Sequence, residues 1–159
     1  NGVPMRGWYD IVGMDFRSRA DMAGVRESVA QVEALIAREI ERGITPEQIF
    51  LAGFSQGGAI ILTAALSRTA PLAGLIALST YLPDADSAER VATAVDVPVF
   101  MAHGSGDPVI PQAVAAHSAQ ALRALGLQVQ WHSYPMAHQV CAEEIDALGD
   151  WLQERLGVA

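Results

Sequence analysis

Lysine is missing from this 159-residue chain; all ten basic residues are arginine. Cysteine occurs once, at Cys141, which excludes a disulfide framework and a four-cysteine zinc site. Positive charge is scarce, and the formal net charge is −8. An acidic surface repels phosphate backbones, so nucleic acid is not an expected partner. No apolar run reaches the ~18 residues of a membrane span. The start at Asn1-Gly2 has neither the basic nor the apolar region of a signal peptide, and a cytoplasmic location is the expectation. Internal repeats, low-complexity tracts and linkers are also absent, so residues 1–159 read as a single domain.

What is present is a core. The chain is 51% hydrophobic with a mean hydropathy of +0.23, which excludes a disordered chain. Helical and strand patterns alternate along it. From Asp21 to Arg42, apolar residues recur at Met22, Val25, Val29, Val32, Ile36 and Ile40, in the steps of three and four that mark one helical stripe. Gln48 to Phe54 reads as a buried strand, with a helix following to about Arg68. Leu72–Ser79 and Val97–His103 are further apolar strands. Residues 84–96 are polar, with a short helix expected around Ala88–Ala94. A helix over 111–125 ends at Gly126, Leu127–Tyr134 is a fourth strand, and Ile145, Leu148, Leu152 and Leu156 mark a last amphipathic helix. Continuous apolar strands alternating with helices predict a parallel sheet covered on both faces. In such sheets the chemistry lies beyond the carboxyl ends of the strands.

After the first strand comes Gly53-Phe54-Ser55-Gln56-Gly57-Gly58, a G-x-S-x-G pattern between a strand and a helix. A sharp turn there projects the Ser55 hydroxyl above the sheet, and the Gln56 N–H at the helix start can face an oxyanion. The bland alternative is a glycine-rich turn with an incidental serine. A serine hydroxyl needs a base, and the base needs an orienting group. Asp107 follows the third strand and His138 the fourth, giving the chain order Ser…Asp…His. Asp107 could instead cap the helix near Pro111, and His138 could be a surface-loop histidine. His103, His117 and His132 lie at a strand end, in a helix and in a strand; none follows a strand in the right order, and His103 reads as a hydrogen-bonded structural residue.

Several segments then resemble one family. Trp8-Tyr9-Asp10-Ile11, Phe50 to Ala59, Ala77 to Tyr81, His103-Gly104 with Asp107-Pro108-Val109, and Tyr134 to His138 are similar to the carboxylesterase and acyl-protein thioesterase family of α/β-hydrolases, its bacterial carboxylesterases in particular. The resemblance covers essentially the whole chain. It implies an α/β-hydrolase core with Ser55 as nucleophile, His138 as base, Asp107 as orienting acid and Gln56 as oxyanion donor. The family's N-terminal strands and its H-G-x-G loop, which holds a second oxyanion donor, have no counterpart ahead of Ser55. The missing strands would leave a sheet edge open, and a homodimer covering it is expected.

The first functional reading is a serine carboxylesterase on short-to-medium acyl esters, needing no metal and no organic cofactor. Trp8, Leu82, Val109 and Met136 are the residues expected to line the acyl pocket, on their nearness to motif segments. The alternatives are an acyl-protein thioesterase with the same three residues, and a catalytically silent remnant kept as an assembly module.

Overall fold

Val25, Val32 and Ile36 fall on one stripe of the first helix, and that stripe decides what the helix packs against. The computed structural model describes residues 6–13, 20–90 and 97–158. Helix α1 spans Met22–Glu41, with the Asp21 carboxylate accepting from the N–H groups of Ala23 and Gly24 at its start. Its stripe is buried against Ala59, Ile60 and Ala64 of helix α2 (Gln56–Ser67). A single 3₁₀ turn, Pro46–Gln48, precedes the first strand, so Gln48 belongs to a turn and not to the strand the sequence pattern placed it in.

Strands β1 (Phe50–Phe54), β2 (Gly74–Leu78), β3 (Pro98–Gly104) and β4 (Gln128–Tyr134) form one parallel sheet in the order β1-β2-β3-β4. Side chains of a strand alternate between faces. Leu75, Ala77, Val99 and Met101 therefore face one way, toward Leu62 and Leu66 of α2 and Ala115 and Leu122 of helix α3 (Gln112–Ala124). Ile76, Phe100 and Ala102 face the other way, toward Trp151 of helix α4 (Ala142–Leu156). Helices thus cover both faces of a parallel sheet, as the continuous apolar strands predicted.

The expected helix over 88–94 is not found at Ala88, Glu89 and Arg90, which have no regular structure; positions 91–94 lie outside the described residues. There Ala88 packs against the core and the Arg90 guanidinium donates to the Leu125 carbonyl at 2.8 Å, contacts that need no helix. Among the described residues, β1 pairs only with β2, and no helix is long and apolar enough to cross a membrane. Beside β1 runs an apolar groove of about 310 Å³ whose walls include Val32, Ile36, Leu51, Ile60 and Ile61.

Candidate active site

Three loops leave the carboxyl ends of β1, β3 and β4 on the same side of the sheet, and each brings one polar side chain. The first loop is a single residue. Ser55 stands between β1 and α2 with φ 51° and ψ −121°, a left-handed backbone that a non-glycine residue adopts only when its surroundings force it. Here the surroundings do so from both sides. The Ser55 N–H donates to the Leu78 carbonyl at 3.0 Å, and the Thr80 hydroxyl donates to the Ser55 carbonyl at 2.7 Å. Gly53 permits the closure, because a Cβ there would lie 2.4 Å from the backbone of Gly57 and Gly58. Ser55 occupies the N-cap position of α2, yet its hydroxyl caps nothing and so is left for another partner. Gln56 opens the helix, so its N–H is one of the first four, which have no acceptor within the helix.

The second loop carries Asp107, whose carboxylate is fully buried. It does not cap α3; Pro111 holds that position with no side-chain cap. Oδ1 accepts from the N–H groups of Val109 at 2.7 Å and Ile110 at 2.9 Å. Oδ2 lies 2.7 Å from His138 Nδ1. Burial by itself pushes the carboxyl up; the hydrogen bonds from His138, Ile110 and Val109 outweigh it and hold the group below the ordinary aspartate value.

The third loop carries His138. Its Nε2 lies 3.0 Å from Ser55 Oγ, and Phe54 packs against the ring at a centroid distance of 4.8 Å. This loop is braced from below. Gly106 N–H donates to the Met136 carbonyl at 3.1 Å, and the buried Ser79 hydroxyl donates to the Gln139 carbonyl at 3.3 Å. Gly104 lets β3 pass, since a Cβ there would lie 2.3 Å from the Met136 carbonyl oxygen. Ser55 and His138 are 83 residues apart in sequence, His138 and Asp107 are 31 apart, and the three side chains form one hydrogen-bonded row. A hydroxyl aligned on an imidazole that is backed by a carboxylate is an arrangement able to make serine a nucleophile.

The four expected pocket residues are spread out. Trp8 is 43% exposed and its indole nitrogen approaches Gly57. Val109 is 49% exposed beside Asp107. Met136 is buried under the His138 loop, and Leu82 is buried in the core shared with α2 and α3. Trp8 thus lies against the first turn of α2 and lines the groove beside β1, Val109 and Met136 belong to the loops that carry Asp107 and His138, and Leu82 lies in the core.

Sequence reading missed other contributors. The Gln56 side chain accepts from Trp8 N–H at 3.0 Å and donates to the Tyr9 carbonyl at 2.9 Å, and the Ser28 hydroxyl donates to the Trp8 carbonyl. The Tyr9 and Tyr81 hydroxyls are 3.1 Å apart. Ser79 and Thr80 are fully buried at the end of β2. Small polar residues directly after an apolar strand were the available signal. Among the described residues no group of three or more histidine, cysteine or acidic side chains could hold a metal ion.

The sequence profile of the phospholipase/carboxylesterase family matches residues 1–156. A protein of Neurospora crassa named acyl-protein thioesterase 1 is 40% identical over 165 residues, which cover 98% of this chain and 67% of that one. The crystal structure of Arabidopsis thaliana SOBER1 superposes with a TM-score of 0.84 at 28% identity, over 96% of this chain and 75% of that one. The crystal structure of Zea mays acyl-protein thioesterase 2 gives 0.77 at 25% identity, over 94% and 72%.

Proposed function

The chain belongs to the phospholipase/carboxylesterase family and is a serine α/β-hydrolase, and from that premise we propose that it cleaves acyl thioesters and esters through an acyl-enzyme on Ser55, with acylated protein thiols as its foremost substrate class. The observation that carries the reading is the row Ser55 Oγ to His138 Nε2 at 3.0 Å and His138 Nδ1 to Asp107 Oδ2 at 2.7 Å. His138 Nε2 takes the hydroxyl proton as Ser55 Oγ attacks the acyl carbonyl carbon. Asp107 keeps the proton on Nδ1, so that Nε2 is the free base, and stabilises the imidazolium that forms. The Gln56 N–H, at the positive end of α2, faces the oxyanion. His138 returns the proton to the leaving thiol or alcohol. Water then repeats the attack on the acyl-Ser55 carbonyl and releases the acid.

Simple oxygen esters stood first on sequence. The acyl-protein thioesterase names of the relatives at 34–40% identity support moving the thioester ahead. Chemistry supports the same order: a cysteine thiol, with an ordinary pKa of about 8.5, is a far better leaving group than an alcohol. Trp8, Val109 and Met136, around the row, are the residues proposed to meet the acyl group. The side of β1 on which no described strand pairs, and its groove, support pairing of two copies as the proposed assembly; light scattering from a dispersed monomer at micromolar concentration counts against it.

A fluorophosphonate probe tests the reading. Wild-type protein should label and Ser55→Ala should not; an unlabelled wild type rejects the enzyme reading and returns the chain to the role of a binding module. Rates on a palmitoylated peptide and on p-nitrophenyl esters, measured side by side, order the two substrate classes.

A further inference from the structure

Asp107 lies against two histidines, and acyl transfer uses only one of them. The other, His103, sits next to the end of β3 and is fully buried. Its Nε2 lies 2.8 Å from the Ile110 carbonyl oxygen and 3.3 Å from Asp107 Oδ2. A carbonyl only accepts, so Nε2 carries the proton. In a neutral ring Nδ1 is then bare, and Nδ1 is buried without a hydrogen-bond partner. Beyond the imidazole the Trp131 indole lies nearly parallel, at a centroid distance of 6.2 Å and 15°. Burial holds the ring's pKa below the ordinary histidine value, which keeps it uncharged. That matters chemically, because a cation at this spot would compete with His138 for the same carboxylate oxygen.

We propose that His103 is a positioning residue for Asp107: its Nε2–H ties down the Ile110 carbonyl, and so fixes the turn whose Val109 and Ile110 N–H groups grip Oδ1 and leave Oδ2 aimed at His138. The inference rests on the roles given above to Ser55, His138 and Asp107. Without the donor, the Ile110 carbonyl loses its partner and the turn is free to rotate. Oδ2 then drifts from Nδ1, and misplacement of about 1 Å in such a row costs on the order of 10²-fold in rate. His103 is buried and sits behind the carboxylate, so substrate affinity should not follow.

Two variants separate position from packing. His103→Phe keeps a ring of similar size and removes the donor; His103→Gln keeps an N–H donor. On a p-nitrophenyl ester, His103→Phe should lower kcat by about 10–100-fold with KM within about threefold, and His103→Gln should recover most of the loss. In an Asp107→Asn background, His103→Phe should cost less than about threefold more, because both act through one carboxylate. A wild-type kcat in His103→Phe, equal losses in both variants, or losses that multiply in the double variant would each overturn the proposal. Should His103→Phe fail to fold, the wild-type protein still decides: nitrogen-15 shifts should report a neutral His103 with its proton on Nε2, and a charged ring or an Nδ1–H form overturns it. An unlabelled wild type in the fluorophosphonate experiment rejects the functional reading as well; a labelled wild type with an indifferent His103→Phe rejects this inference alone.

Discussion

Replacing Asp107 by Asn keeps the shape of the side chain and changes one oxygen to a donor. The buried contacts decide which oxygen. Oδ1 accepts two backbone N–H groups, from Val109 and Ile110, and an amide nitrogen there would face two donors. The new NH₂ must therefore take the place of Oδ2, 2.7 Å from His138 Nδ1. A donor at that point forces Nδ1 to be the acceptor and moves the imidazole proton to Nε2, the atom that faces Ser55 Oγ at 3.0 Å. The base is then already protonated where it should accept. The loss from such a tautomer swap is about 10⁴-fold in kcat, or about 5.4 kcal/mol at 1.36 kcal/mol per decade. Folding should survive, since the two backbone bonds to Oδ1 remain. The assay is kcat on a p-nitrophenyl ester at neutral pH, with near-ultraviolet circular dichroism to check the fold. A folded Asp107→Asn protein that loses less than about tenfold would refute the reasoning, because the carboxylate would then not be setting the tautomer.

Gly53→Ala places a methyl 2.4 Å from backbone atoms of Gly57 and Gly58 that cannot swing aside, so the Ser55 turn must open; fluorophosphonate labelling should fall sharply, and an unchanged rate counts against the packed turn. Trp151→Ala empties the space between Phe50 and Phe100 under α4; the cost should be about 3–5 kcal/mol, read in urea unfolding, or roughly 6–20 °C in Tm for a chain of this size. Glu144 is fully buried, and burial, outweighing a backbone hydrogen bond at Cys141, raises its pKa above the ordinary glutamate value. The folded state thus holds this proton to higher pH than the unfolded chain does. Its contribution to stability is complete below the ordinary glutamate range and is lost as pH rises through the raised folded value. Glu144→Gln should therefore be more stable than wild type at about pH 8, with the gap closing toward about pH 4; urea curves that differ by the same amount at both ends reject this account.

The elements and their order were legible because each follows from a local period. The stripe over Asp21–Arg42 became α1 within one residue at each end, and the four apolar runs became the four parallel strands. The readings that slipped lie where local pattern is weak. Gln48 looked strand-like beside Ile49 and Phe50, but Pro46 fixed a 3₁₀ turn that includes it. Positions 88–90 have helix-forming residues, but long-range contacts of Ala88 with the core and of Arg90 with the Leu125 carbonyl hold them, and no local period announces these. The candidate site divides the same way. The G-x-S-x-G pattern announced Ser55 because its glycines and flanking elements are neighbours in sequence. Leu82 was read as a pocket residue from its nearness to a motif segment, and the tertiary structure puts its N–H on the Ser118 hydroxyl and its side chain in the core.

By itself, the sequence determined the alternation of strand and helix, the buried face of each, the strained serine turn and the chain order of Ser55, Asp107 and His138. These rest on the period of a strand or helix and on chain connectivity, which act over a few residues. Only the tertiary structure decided which groups meet. Parallel pairing in the register of β1 to β4 sets three loops side by side on one edge of the sheet, and brings an imidazole to within 3.0 Å of a hydroxyl 83 residues away. It also turned His103 from a strand-end histidine into a neighbour of Asp107, and set the Gln56 side chain to hold the backbone of Trp8 and Tyr9. Such contacts join residues whose local sequences carry no sign of each other, because the forces that pair them act only once the sheet is packed.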